Sequence, residues 1–396
     1  MGVKVVIVDL DGTLIDDRNQ AVPGTVEMTA ELKSAGLNIV VATNRRGEFE
    51  TKQLLNNAGI TYDIVEDRPF ANNRPKGAPE WVGEICKYLR VQTNEIVYLG
   101  DSALDMRTAV NGRVIYFHAA WSNIYPYGLA MTHPKLFSLI VRECFINPSG
   151  WYWQLQTRDD CGRVVDTRAL MDSYGAGITV FQSDMLHFLK DGQNPTVGPM
   201  TVGDFLTYHL LGNLYADSIF NLIDTWAVYP SSSPTKSNHI LSDVAVQIAR
   251  LFRDRNIPVL VRHNEATDSG EARRRRETVG FDNQVNTVQL DPSYKTTVTG
   301  RTVAVLDDFM TEGYSMECAR NLFLHEGASN VIGINFSKYS GWPKVATPQN
   351  DYVWDGYAPT THDTNAFRLS SHSGSANSAA LAALKASYQR VSVATI

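Results

Sequence analysis

From residue 3 to about 120, short apolar runs alternate with amphipathic helical stretches, and this alternation restricts the fold more than any other feature of the chain. VKVVIVD, NIVVAT, YDIV, EIVYLGD and RVIYFH have the length and β-branched content of buried strands. VEMTAELKSAG and PEWVGEICKYL, between them, carry helical periodicity. Strands that alternate with helices pair in parallel, so an open, doubly wound α/β sheet is expected. A second alternating region runs from about 220 to 338: TWAVYP, the helix SDVAVQIARLFRDR, PVLVRH, TVAVLDD, the helix SMECARNLFLHEG and NVIGINFS.

The segment between the two regions is rich in aromatics and mixes helical pieces (MLHFLK, TVGDFLTYHLLGNLY) with irregular ones. The expected architecture is therefore α/β: two doubly wound parallel-sheet domains with an α-rich middle extension. Residues 1–130 form the first domain. Residues 131–340 form the second, with 131–220 as its N-terminal extension. Residues 341–396 form a C-terminal tail, rich in Pro, Asn, Ser and Gly, that ends in a short amphipathic helix, ANSAALAALKASYQ. A length of 396 residues fits two or three such units.

Composition narrows the setting. Hydrophobic residues at 43% and charged residues at 20% exclude a disordered or fibrous chain. A net charge of -6 gives no global attraction to nucleic acid or anionic membrane, which leaves only a local basic patch for such a role. The four cysteines, Cys86, Cys144, Cys161 and Cys318, are isolated and read as reduced thiols. No stretch reaches the ~18 apolar residues that span a bilayer, and the apolar run at Val3 to Val8 is too short for a signal-peptide core, so a cytoplasmic location is expected.

Chemistry concentrates at strand ends. DLDGT at 9–13 follows an apolar strand, which brings Asp9 and Asp11 to the sheet edge where open α/β sheets bind ligands. Two acids there repel each other and need a cation. With Mg²⁺ bound, Asp9 can attack phosphorus, while Asp11 protonates the leaving oxygen and later activates water. NIVVAT delivers Thr43 to the same edge, where its hydroxyl and the amide of Asn44 can hold phosphate oxygens. Lys76, ahead of a helix, can offset the charge of nucleophile and phosphate. GDSALDM supplies Asp101 and Asp105, oxygen ligands of the kind Mg²⁺ prefers.

These elements resemble, in order, the four signature motifs of the haloacid dehalogenase (HAD) phosphatase superfamily, over about residues 1–125. The resemblance implies a HAD-like Rossmannoid fold and an aspartyl-phosphate on Asp9, with Asp11 as acid and base and Thr43, Asn44 and Lys76 on the phosphate. It also implies Mg²⁺ held among Asp9, Asp11, Asp101 and Asp105. The intervals from Asp11 to Thr43 and from Thr43 to Lys76 admit a crossover helix and its loops but no cap domain, so the site is expected to be open.

A second constellation follows TVAVLDD. Asp307 and Asp308 end a strand, and Thr311, Glu312, Gly313, Tyr314 and Ser315 lead into a helix, whose N-terminus makes an anion site beside two acceptors for vicinal hydroxyls. That describes a cradle for ribose 5-phosphate. It resembles the binding signature of type I phosphoribosyltransferases of the ComF-like branch, which implies phosphoribosyl pyrophosphate (PRPP) as co-substrate. Ser232 and Lys236, in the loop after TWAVYP, fall where such enzymes hold pyrophosphate, and Thr267 to Lys295 falls at the family's mobile loop. Glu312 and Tyr314 depart from the small residues usual there. Arg273 to Arg276 read either as a solvated face or as a grip on pyrophosphate or a nucleic-acid backbone. Trp151, Tyr152 and Trp153 read as core or as a stacking platform, and His263 as a structural histidine or one facing the second site.

Three functions are compatible with the two constellations. The first is a bifunctional enzyme, with Mg²⁺-dependent phosphomonoester hydrolysis on a nucleotide or sugar phosphate and PRPP-dependent transfer to a base-like acceptor. The second is a phosphatase regulated by a non-catalytic PRPP- or nucleotide-sensing domain. The third is a nucleic-acid end phosphatase.

Overall fold

All five apolar runs of the N-terminal region are strands in the computed structural model, which describes residues 2–45, 47–66, 76–173, 179–236, 239–252, 260–267, 272, 275–277, 279–295, 297–339, 341–349 and 354–396. They are β1 (Val5–Asp9), β2 (Asn38–Ala42), β3 (Ile64–Glu66), β4 (Ile96–Gly100) and β5 (Ile115–Ala119). A short β6 (Leu129–Met131) joins them, across the expected boundary at 130. The six-stranded sheet is parallel throughout, in the order β3-β2-β1-β4-β5-β6. Alternation along β1 divides its side chains between two cores. Val5 and Ile7 pack with Trp81, Val82 and Ile85 of α3 (Trp81–Leu89) and Met106 of α4 (Ala103–Asn111). Val6 and Val8 pack with Met28 and Leu32 of α1 (Thr25–Ser34) and Leu55 of α2 (Glu48–Asn57). Helices on both faces make the sheet doubly wound, as the sequence implied.

The second sheet differs from expectation. Its order is β11-β14-β15-β8-β7-β18, built from β7 (Trp153–Arg158), β8 (Val164–Asp172), β11 (Thr225–Val228), β14 (Thr302–Met310), β15 (Asn330–Lys338) and β18 (Ser375–Ala376). Four strands are parallel, but β7 pairs antiparallel with both β8 and β18, so the sheet is mixed rather than wholly parallel. The segment read as an α-rich extension therefore contributes a long hairpin. Its turn, Asp159–Arg163, is fastened from inside: Arg163 Nε donates to Asp159 Oδ2 at 2.7 Å, and Arg320 reaches the same oxygen at 3.1 Å.

The remaining elements hold this sheet. Thr196–Val197 and Met200–Thr201 (β9, β10) form a small hairpin. PVLVRH supplies β12 (Leu260–Arg262), which pairs antiparallel with β13 (Val288–Leu290) outside the main sheet, not within it as expected. Part of the stretch expected as a mobile loop is thus built into the core, with Phe281, Val285, Val288 and Leu290 buried; Arg273 and Arg274 lie outside the described residues. The tail carries an antiparallel pair, β16 (Lys344–Pro348) with β17 (Phe367–Ser371), and a 15-residue helix with Leu384, Tyr388 and Val391 in the core.

A layer of helices separates the sheets: α5 (Pro134–Ile140) with the π-helical turn Val141–Ile146, α6 (Val180–Asp191), α7 (Val202–Ala216) and α8 (His239–Phe252). One continuous core runs from Val6 and Val8 through Phe137, Phe205 and Leu210 to Leu306 and Ile334 on the second sheet. Backbones approach closely within it. A Cβ at Gly212 of α7 would lie 2.0 Å from the Cys144 carbonyl oxygen. Among the described residues no helix is long and apolar enough to cross a membrane.

Candidate functional site

Every residue of β1 is buried, so Asp9 reaches the C-terminal edge of the sheet almost out of solvent, at 5% exposure. The edge between β1 and β4 is where the strand order reverses, and a crevice opens at such a point. The loop after β1 turns on Gly12 at φ 77°, in the left-handed region that favours glycine, and a Cβ there would sit 2.3 Å from Asp101 Oδ2, which would have to shift.

The side chains converge. Lys76 forms ion pairs with Asp9 and, at 2.8 Å, with Asp105. Thr13 donates to the second Asp9 oxygen at 3.2 Å. Asp105 is fixed as the third residue of α4: the Ser102 amide and hydroxyl donate to its Oδ2, and Tyr98 donates to its Oδ1 at 2.8 Å. Asp101 accepts from Ser122 at 2.9 Å and from Asn123 at 3.3 Å. Asp9, Asp101 and Asp105 each offer an oxygen within 4.8 Å of the others.

The electrostatics describe a site short of positive charge. Burial pushes Asp9 up to about 7, with Asp105 and Asp101 acting the same way and Lys76 only partly opposing them. Burial also raises Asp101. Burial alone would lower Lys76, but Asp9 and Asp105 outweigh it and keep the ammonium charged. One lysine among three carboxylates leaves uncompensated negative charge, and an oxygen-rich cluster of this kind suits a hard divalent cation. The residues present fit Mg²⁺.

Not every expected ligand joins them. The Asp11 carboxylate lies outside the three-carboxylate cluster, its side chain half-exposed, with Arg45 donating to it through Nε at 3.0 Å and Nη2 at 2.5 Å. Thr43 is buried at the end of β2; its amide donates to the Glu66 carbonyl at 3.1 Å, and its hydroxyl accepts from the Arg45 amide at 3.0 Å. Asn44 beside it is exposed. Arg45 was missed in the sequence, where its only signal is its place two residues after Thr43 in TNRR.

A second cavity, of about 330 Å³, lies at the C-terminal ends of β11 and β14. Ser232 and Lys236 reach it from the loop after β11, and Asp307 and Asp308 from β14. Thr311, Gly313, Tyr314 and Ser315 reach it from the turn into the helix Tyr314–His325. Burial holds the Asp307 carboxyl well above the usual range, and Asp308 adds to the effect. Glu312 is not among the lining residues. Burial, with the Glu312 carboxylate close by, holds the Tyr314 hydroxyl above its ordinary value, so the two departures from the phosphoribosyltransferase pattern lie beside each other. Arg262, also missed, lines the cavity and braces the loop after β11, donating to Ser231 O at 2.8 Å and to Gln284 Oε1 at 3.2 Å. Trp151 and Trp153 are buried, Trp151 donating to Asp217 at 2.6 Å, and His263 is not among the cavity residues.

The model of the haloacid dehalogenase-like hydrolase family matches residues 15–112, beginning just after DLDGT and taking in Thr43, Lys76, Asp101 and Asp105. No curated protein matches the chain. Solved structures similar to the N-terminal third include a HAD-superfamily hydrolase, subfamily IA, variant 1, from Geobacter sulfurreducens (16% identity over 34% of this chain and 95% of that one, TM-score 0.30). Another is D,D-heptose 1,7-bisphosphate phosphatase from B. bronchiseptica, complexed with magnesium and phosphate (19% identity, 34% and 96%, TM-score 0.28). A third is the cobalt-bound deoxy-D-mannose-octulosonate 8-phosphate phosphatase from Haemophilus influenzae (17% identity, 35% and 87%, TM-score 0.28). The N-terminal region is a haloacid dehalogenase-like hydrolase domain.

Proposed function

We propose that the N-terminal domain is a phosphatase that hydrolyses small phosphomonoesters, such as nucleotides or sugar phosphates, with Mg²⁺ as cofactor. The observation that carries this reading is the junction of Asp9, Lys76, Asp101 and Asp105 at the reversal point of the sheet. Asp9, Asp101 and Asp105 would hold the cation, which supplies charge neutralisation for carboxylates and phosphate. Asp9 attacks phosphorus and the ester oxygen departs, taking a proton from Asp11. Water, deprotonated by Asp11, then attacks the aspartyl-phosphate and returns Asp9 and inorganic phosphate. For this Asp11 must leave Arg45 and turn inward, which its exposure permits. Lys76 positions Asp9 and partly offsets the burial that raises its carboxyl. Thr43 and Asn44 stand beside the phosphate. Phosphate release from a panel of nucleotides and sugar phosphates, with Asp9→Asn and chelated metal as controls, tests the proposal. Persistent turnover by Asp9→Asn removes it.

The second cavity is read as a PRPP site, supported by the company of Asp307, Asp308, the Thr311–Ser315 turn, Ser232 and Lys236 in one cavity. In transfer, an acceptor lone pair bonds to the ribose C1, and the bond from C1 to pyrophosphate breaks with its electrons leaving on pyrophosphate. Calorimetry with PRPP and an assay for pyrophosphate separate transfer from sensing: both signals support a bifunctional enzyme, and binding without release supports the regulated phosphatase. The nucleic-acid reading has no such support, since Trp151 and Trp153 are enclosed in the core.

A further inference from the structure

The second cavity has a part that the phosphate-binding elements leave unused. Phe309, from the end of β14, and Tyr339, just past β15, both line it with ring centroids 5.4 Å apart and planes 30° from parallel. Leu189 and Lys190 reach it from α6, more than a hundred residues away in sequence, and the Lys190 ammonium lies 4.2 Å from the Phe309 ring centroid. Lys190 makes no ion pair among the described residues. Asn335 also lines the cavity, on β15 in register with Asp307. It is fully buried; its Nδ2 donates to the Arg168 carbonyl at 3.1 Å, while its Oδ1 has no hydrogen-bond partner.

A buried acceptor with no donor is costly and rare, and one carried by a residue that lines a cavity can be satisfied by a donor on a ligand. Aromatic walls favour a flat ring, and a cation resting on one of them favours a ring that carries negative charge. We infer that this part of the cavity binds a planar aromatic anion, with its ring against Phe309 and Tyr339, its anionic group on Lys190 and a ring N–H on Asn335 Oδ1. Only the ligand's role as phosphoribosyl acceptor rests on the PRPP reading; the binding site does not.

Calorimetry of the full chain with three probes, with and without PRPP and Mg²⁺, tests the inference. Orotate has both the anionic group and a ring N–H, uracil lacks the anion, and benzoate lacks the N–H. Orotate is expected to bind ~10-fold or more tightly than uracil, the worth of one charge-assisted contact. Lys190→Gln, at an exposed position that leaves the fold intact, removes that preference and leaves uracil unchanged. Asn335→Leu reduces orotate and uracil binding but not that of benzoate. The inference is overturned if orotate binds in neither condition, or if its preference survives in Lys190→Gln. Should PRPP bind while all three probes fail, the PRPP reading stands and this site does not. Should PRPP fail while orotate binds through Lys190, the reverse holds.

Discussion

At the end of β1 a buried lysine bridges two of three clustered carboxylates, whereas at the end of β14 Asp307 and Asp308 stand side by side with the Arg262 charge as their counterweight. The two sheets place acids at the same kind of edge and treat them differently. In the first site a buried ammonium offsets part of the charge of three clustered carboxylates, and the cluster calls for a further cation. In the second, burial favours the protonated form of Asp307, which can then donate as well as accept a hydrogen bond and so suits hydroxyls better than metal. A pair of acids after a strand therefore does not define its own chemistry. The neighbouring cation does.

The sharpest way to break this contrast is Asp9→Asn, which is expected to lower phosphate release by at least ~10³-fold while leaving ligand binding in the second cavity unchanged. Loss at both sites would mean they are one functional unit. Lys76→Met strands Asp9 and Asp105 without their partner, and urea unfolding should show a loss of ~3–5 kcal/mol, the cost of breaking a buried ion pair from one side.

His209 tests the core that the two regions share. It lies on α7 with Nε2 3.0 Å from Ser387 Oγ of the C-terminal helix, and burial depresses it from 6.5 to about 3. The unfolded chain takes up this proton below 6.5 and the folded chain refuses it until about 3. The stability it contributes is therefore complete above pH 6.5 and falls as pH drops toward 3, by up to ~1.4 kcal/mol per unit. Urea midpoints at pH 7 and pH 5 should separate less in His209→Gln. Both sites should be lost in one transition, because a single core joins their sheets. The smallest effect is expected from Asp307→Asn. Removing a carboxyl whose folded pKa is raised should stabilise the protein by ~1 kcal/mol at neutral pH, while weakening PRPP binding ~10-fold in calorimetry.

Legibility in the sequence followed the range of the interaction. β1 to β5 and the helices between them were readable because crossover connections are local, and the parallel pairing follows from the alternation. The β7–β8 hairpin carries a readable signal, in the two runs WQLQTR and VVDTRALMD flanking a turn that contains Gly162, yet it falls among the irregular pieces of a segment whose clearest periodicity is helical. Nothing in PVLVRH reveals that it pairs with Val288–Leu290 instead of entering the main sheet, since a period of two specifies which face is buried and not which strand lies alongside.

What the sequence determined by itself is the order of the acids, hydroxyls and lysines and their delivery to strand ends, because a buried strand must release its polar residues where it leaves the core. The tertiary structure alone decided which of them meet. Asp11 turns to Arg45, Glu312 to Tyr314, Arg262 to the loop after β11 and Lys190 to Phe309. Each of these choices depends on the placement of a separate element in space, and charge and hydrogen bonding act over a few ångströms of space whatever the separation along the chain.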